Sequence, residues 1–195
     1  IYTISGDYSN AKLLYNITAP GYHAFLLPPL NKELLDKTNT FNDNNHHKNI
    51  LLGTRGSRTS YHFEAIDFLS FINTYTNFRV ICPLSYGGDK NYISRVVTYG
   101  KEKQGEKFEP LLSWLGPNEY AEVLASIDVA IMNHRRQEGV GNIIPLLYAG
   151  KKVYIRKNVS TYSWLTKLGL IIFNTDDLFA GKDNDIFSFP HEWGK

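Results

Sequence analysis

From Asn49 onward, apolar and polar positions follow a repeating alternation. NILLG (49–53) is a short apolar run ending in glycine, the form of a buried parallel strand. A polar loop follows, and then YHFEAIDFLSFINTY sets Phe63, Ile66, Leu69 and Phe71 near helical spacing. FRVICPL (78–84) reads as a strand stopped by Pro83. SYGGDKNYISRVVTYGKEK (85–103) opens on turn residues and continues as a helix. KFEPLLSWL (107–115) holds a third strand, bordered by Pro110. GPNEYAEVLASI (116–127) is a helix with Pro117 in its first turn, where a missing N–H is tolerated. DVAIMN (128–133) is a strand, GNIIPLLYAG (141–150) a helix closed by Gly150, and KKVYIRK (151–157) a strand. STYSWLTKLG (160–169) is a short helix with Ser160 as its cap, LIIF (170–173) the last strand, and TDDLFAG the start of a final helix. Strand alternating with helix predicts an α/β open sheet with helices on its faces, over 49–195.

The first 48 residues lack this regularity. Residues 1–30 mix short apolar runs with Pro20, Gly21, Pro28 and Pro29, which predicts irregular structure with one short strand. Residues 31–48 are rich in Asn and Asp and read as a short helix followed by an exposed loop. This stretch is taken as a lead-in and linker. The chain begins at Ile1 without a polar leader, so it reads as a piece of a longer protein.

Composition narrows the function classes. Hydrophobic residues make up 43% and charged residues 21% of 195, enough for one sizeable core. A net charge of +2 gives no reason to expect nucleic acid as a partner. Cys82 is the single cysteine, so no internal disulfide can form. No apolar run approaches the ~20 residues that span a bilayer.

In an open parallel sheet, ligands sit at the carboxyl edge of the strands. Two loops there carry anion-binding chemistry. In GTRGSRTS, Gly53 and Gly56 allow tight turns, Arg55 and Arg58 offer paired N–H groups, and Ser57 supplies a hydroxyl. The dinucleotide fingerprint and the Walker ending are both absent from it. In NHRRQEGVGN, a helix opens at Gly139-Val140-Gly141-Asn142, and its free N–H groups and dipole attract an anion. Arg136 or Arg135 adds charge there. Glu138 would repel phosphate, so it is expected to face sugar or ribose hydroxyls. Ser85 and Tyr86, after the second strand, are candidates for the sugar. Trp114 and Leu115, with Pro117, form the candidate nucleobase wall, with a core tryptophan as the plainer alternative.

EGVG followed by PLLYAGKKVYI resembles the donor-binding stretch of GT-B glycosyltransferases, in which E-G-x-G opens a helix. Many of those enzymes carry a second glutamate eight positions on, where this chain has Leu146. NILLGTRGSRTSYHFEAI, VICPLSYGGDKNYI, RRQEGVGNIIPLLYAG and FNTDDL together resemble the TDP-N-acetylfucosamine transferases, also called 4-alpha-L-fucosyltransferases, of enterobacterial common antigen synthesis. That family usually has glutamine at the position of Glu138. The resemblance implies the Rossmann-like C-terminal half of a GT-B fold. It also implies a nucleoside diphosphate sugar donor, TDP-linked and fucosamine-like. The lipid-linked acceptor and the catalytic base would belong to another lobe, at the cytoplasmic face of a bacterial membrane with peripheral association. The isolated piece is then expected to bind donor without turnover.

The remaining reactive side chains are given plainer readings. No compact D-x-D or His/Asp set follows a strand, so no metal is expected. Asp176-Asp177 is read as a helix cap, His46-His47 as exposed linker and His62 as a helix-surface histidine. Cys82 is read as a buried strand thiol, and Tyr75, Tyr92 and Tyr99 as helix packing. The rival function is a non-catalytic α/β binding or regulatory module. A receiver of phosphoryl groups would want carboxylates where Gly53 and Leu115 stand.

Overall fold

The computed structural model describes residues 2–23, 36, 47–72, 77–183 and 185–188. Two short strands, β1 (Tyr2–Thr3) and β2 (Tyr22–His23), pair in parallel and flank the helix α1 (Ser5–Tyr15). The main body then runs β3 (Lys48–Leu52), α2 (His62–Phe71), β4 (Phe78–Pro83), α3 (Lys90–Gln104), β5 (Phe108–Leu111) and α4 (Pro117–Ser126). It continues through β6 (Val129–Met132), α5 (Val140–Tyr148), β7 (Lys152–Ile155), α6 (Ser160–Lys167), β8 (Phe173–Asn174) and α7 (Thr175–Phe179).

The six main strands are all parallel in the order β5-β4-β3-β6-β7-β8. Counted from β3, this is 3-2-1-4-5-6, the order of a doubly wound Rossmann-like sheet. The chain reverses its direction of travel across the sheet between β3 and β6. Ligand crevices form at such a reversal, beyond the carboxyl ends of the strands.

Period-two alternation sorts the strand side chains into two cores. Ile50, Leu52, Val80, Cys82, Ile131 and Tyr154 face α2, α3 and α7 through Ala65, Ile66, Leu69, Val96 and Leu178. Leu51, Ile81, Ala130, Met132, Val153 and Ile155 face α4, α5 and α6 through Leu124, Ile143, Leu146 and Leu165. Both faces are covered, which is why these strands read as continuous apolar runs. Leu146 is fully buried in the second core, a position worth roughly 1.5–3 kcal/mol to an apolar side chain.

Residues 2–23, the described part of the first 30, are more regular than expected, with two short strands and a helix. Ser5–Tyr15 is an 11-residue helix. Leu13, Leu14 and Tyr15 on it are exposed, so it has no buried apolar stripe for periodicity to reveal. It is held by short-range contact instead. An added Cβ at Gly6 would stand 2.8 Å from Ser160 Cβ, and the Ser160 hydroxyl donates to Asp7. Ser160 is thus spent on α1 and does not cap α6, whose N-cap is Val159. The strand expected over 170–173 shrinks to Phe173–Asn174, with Leu170 and Ile171 exposed. Of the stretch 31–48, read as a short helix and loop, only Asp36, His47 and Lys48 are described: Asp36 is helical, His47 is exposed and Lys48 opens β3, while His46 and Tyr75 lie outside the described residues.

At the foot of the sheet, Lys152 is buried. Its Nζ donates to Asp183 Oδ2 at 2.7 Å and to the carbonyls of Asp185 and Ser188, so a lysine in β7 fastens the segment that follows α7.

Candidate functional site at the carboxyl edge

The loop after β3 starts with Gly53 at φ +69, its amide bound to the Ile131 carbonyl at 3.0 Å. Ser57 Oγ accepts from the Thr59 amide and pairs with Thr59 Oγ1 at 2.8 Å, closing a single 3-10 turn over Arg58–Ser60. This loop is joined to the turn after β4. The Gly56 amide donates to the Tyr86 carbonyl at 2.9 Å, and a Cβ built on Gly88 would lie 1.6 Å from the Gly56 carbonyl oxygen. Gly88 is therefore glycine because backbone meets backbone there.

Opposite, β6 is followed by Asn133 and His134, both buried. Gly139 caps α5 at φ +78, in the left-handed region. A Cβ on it would stand 2.8 Å from Thr54 Cγ2 and 2.9 Å from His134 Cε1. Thr54 and Gly139 thereby bring the two loops into contact at the reversal point. The Val140 and Gly141 amides, in the first turn of α5, have no acceptor within the helix.

Beside this contact is a cleft of about 360 Å³. Ser85, Tyr86, Trp114, Leu115, Gly141 and Asn142 all line it, together with Thr54, Pro117 and Tyr120. Trp114 is 74% exposed and meets Tyr86 edge-on at 5.6 Å, so it is a rim residue and not a core tryptophan. Asn142 Nδ2 donates to the Tyr120 hydroxyl at 2.8 Å, and burial raises the pKa of Tyr120. Tyr120 and Thr54 were not singled out in the sequence, where one is a helix tyrosine and the other a loop threonine.

The charged groups divide. Glu138 is nearly buried, and its Oε2 accepts from Arg55 Nη2 at 2.7 Å and Arg136 Nε at 3.0 Å. The Thr59 and Ser60 hydroxyls donate to its Oε1 at 3.3 Å. Arg55, Arg136, Glu138 and the Ser57 turn thus form one cluster at the mouth of α5. Arg58 does not join it. Arg58 pairs with Asp89, the N-cap of α3, at 3.2 Å and lies over the Tyr92 ring. Arg135 lies 4.0 Å over the ring of Tyr61, a non-glycine residue at φ +50.

Beneath the loops are two buried histidines. His62 is fully buried, contrary to the helix-surface reading, with Nδ1 3.0 Å from the Tyr92 hydroxyl and Nε2 under Gly53. Burial, and next the nearby His134, lower its pKa to about 4. His134 is lowered to about 4 by burial, with Arg55 adding to the effect and Glu138 opposing it. Both rings are neutral near pH 7, and the Nε2 atoms of both have no hydrogen-bond partner among the described residues.

Arg156, at the end of β7, was not visible in the sequence as a site residue. It is buried and donates to Glu64, to Asp176 Oδ1 at 3.0 Å and to the Asn133 carbonyl at 3.2 Å. Asp176 is therefore an ion-pair partner and not a helix cap; the α7 cap is Asn174, whose side chain accepts from the Asp176 amide. Asp177 pairs with Lys182. Cys82 is a fully buried strand thiol whose pKa burial raises. No group of three or more His, Cys, Asp or Glu among the described residues could hold a metal ion. No helix among them is long and apolar enough to cross a membrane.

A doubly wound sheet with a cleft at its reversal point and two arginines beside a helix N-terminus there places this chain among the Rossmann-like α/β domains. Residues 2–182 match the family described as 4-alpha-L-fucosyltransferase, glycosyl transferase group 56, and the chain belongs to that family. Among solved structures, it is similar in fold to the N-terminal domain of Candida albicans trehalose-6-phosphate phosphatase (TM-score 0.69, 12% identity, 98% of this chain and 51% of that one). It is similar also to a glycosyltransferase from Rickettsia africae (TM-score 0.68, 14% identity, 93% and 53%). A third likeness is a UDP-forming alpha,alpha-trehalose-phosphate synthase from Burkholderia xenovorans (TM-score 0.63, 10% identity, 88% and 44%). The fold is a Rossmann-like half of the GT-B type. The chain spans about half the length of these structures.

Proposed function

We propose that this chain is the donor-binding lobe of a glycosyltransferase that takes a fucosamine-like amino-deoxysugar from thymidine diphosphate. Family membership and fold support sugar transfer. The observation that carries the donor site is the cleft of about 360 Å³ that opens onto the first turn of α5 at Gly141 and Asn142, next to the Arg55–Arg136 cluster. The apolar walls around Leu111, Trp114, Leu115 and Pro117 suit a nucleobase. The amides of Val140 and Gly141 suit its diphosphate. Ser85 and Tyr86, which line the cleft, suit the sugar or ribose through their hydroxyls.

Breaking the anomeric bond leaves negative charge on the diphosphate and positive charge on the sugar. A helix N-terminus and guanidinium groups aimed at the leaving group stabilise that charge without reorganising during the reaction. Arg55 and Arg136 perform that role here. The acceptor, a lipid-linked saccharide met at the inner face of a bacterial membrane, and the base for its hydroxyl would be held by another lobe. This chain alone then binds donor and does not turn over.

Titrating TDP, UDP and GDP while following thermal unfolding tests the reading, because a ligand bound only to the folded state raises stability. Selective stabilisation by TDP is expected. No shift with any of the three would overturn it in favour of a non-catalytic binding module.

A further inference from the structure

The surroundings of Glu138 carry a second inference, which rests on the donor-site reading. Glu138 occupies Arg55 and Arg136, the two guanidinium groups a diphosphate would need, and takes the Thr59 and Ser60 hydroxyls as well. On its far side stands His134, 2% exposed, with Nε2 3.9 Å from Glu138 Oε1, beyond hydrogen-bond reach. His134 Nε2 has no partner among the described residues, nor does the buried Nε of Arg55. Buried polar atoms are almost always paired, so a cluster of orphans at one spot marks an arrangement completed by something else.

We propose that Glu138 is an internal stand-in for the donor diphosphate: the incoming anion draws Arg55 and Arg136 off the carboxylate, and His134 takes their place on it. The ring is held directly under Gly139 and needs to close only the gap from 3.9 Å to hydrogen-bond range. The exchange involves no covalent change beyond one proton, which passes from solvent to the neutral imidazole. The groups facing His134 fix the direction of that transfer. Arg55, from the loop after β3, opposes protonation, Glu138 on its own loop favours it, and neutral His62 from α2 lies beside it. Arg136 acts through Glu138, and Arg156 with Glu64 acts through Asn133. Moving Arg55 onto a diphosphate removes the opposing charge and adds a negative one nearby. Burying Glu138 without its arginines would otherwise leave an unpaired charge. His134 is thus a positioning residue that keeps the carboxylate in place while the arginines serve the ligand.

The test is calorimetric binding of TDP to this chain at pH 7 in buffers of different ionisation enthalpy, which reads protons taken up per nucleotide. Comparing the wild type with His134→Gln and Glu138→Gln cancels the nucleotide's own proton change. The wild type is expected to take up about one proton more than either variant. Glu138→Gln, which frees the arginines, is expected to tighten TDP binding about tenfold. Equal proton uptake in wild type and variants would overturn the proposal while leaving the donor site standing. Weaker TDP binding by Glu138→Gln would also overturn it, since the carboxylate would then be a ligand contact. Absence of any TDP binding by the wild type would overturn the donor site itself, and this proposal with it.

Discussion

Gly139→Ala isolates the contact on which the site is built. Two effects add. An L-residue held at φ +78 is strained by about 1–2 kcal/mol. The new methyl also meets Thr54 Cγ2 at 2.8 Å and His134 Cε1 at 2.9 Å, where overpacking adds about 1–3 kcal/mol. The His134 ring is buried and Thr54 is 3% exposed, so neither can swing away into solvent. The expected loss is about 2–5 kcal/mol in urea unfolding. Gly150→Ala serves as the control. It has φ +68 and nothing within 4 Å of an added Cβ, so it should show the backbone strain alone. The difference between the two variants then measures the steric part. If Gly139→Ala is no more destabilising than Gly150→Ala, the loops after β3 and β6 do not touch at Thr54 and Gly139.

Further outcomes follow from the charged and aromatic groups. Alanine at Arg55 or Arg136 should weaken TDP binding by about 1.5–3 kcal/mol each, and unchanged affinity in both would remove them from the site. Arg156→Ala should cost about 1–3 kcal/mol in unfolding free energy, because it removes the hydrogen bonds to Glu64, Asp176 and the buried Asn133 carbonyl while the two carboxylates, half exposed, keep access to water. Trp114→Ala should leave stability within about 0.5 kcal/mol, since the ring is exposed, yet weaken nucleotide binding; equal affinity would exclude it from the base wall. The depressed histidines predict a pH profile. The folded state refuses protons that the unfolded chain accepts, so their contribution is complete above pH 6.5 and declines as pH falls from 6.5 toward about 4. Urea midpoints at pH 7 and pH 5 should differ accordingly, and His134→Gln should reduce the difference.

Much of this molecule could be read along the chain, for a physical reason. Parallel strands buried on two faces are mostly apolar, and a glycine, a proline or polar residues follow their carboxyl ends, so β3, β4, β6 and β7 and their loops stand out. Position at that edge also led to Tyr86, Trp114, Gly141 and Asn142, which share one cleft. Side-chain pairing across long separations was not readable. Arg58 is claimed by Asp89, 31 residues away, and Arg55 by Glu138, 83 away. Arg156 looked like the polar end of a strand because its partners lie 92 and 20 residues off. Lys152 in the same strand gave no sign that Asp183 waits for it. His62 was misplaced because its helix begins after a left-handed Tyr61, which turns the first helical residue inward. Helix α1 escaped because its binding to α6 uses Gly6, Asp7 and Ser160 and needs no apolar face.

The backbone junction between Gly56 and Gly88 has a mechanical consequence. With 2.9 Å from the Gly56 amide to the Tyr86 carbonyl and no room for even a methyl at Gly88, the turns beyond β3 and β4 are welded into a single plate. The backbones at Arg55 and Tyr86 ride on that plate together, so only their side chains are free to follow a guest. Any backbone adaptation of the cleft to molecules of different width must come from the opposite wall, where Trp114 stands out in solvent on the stretch between β5 and α4.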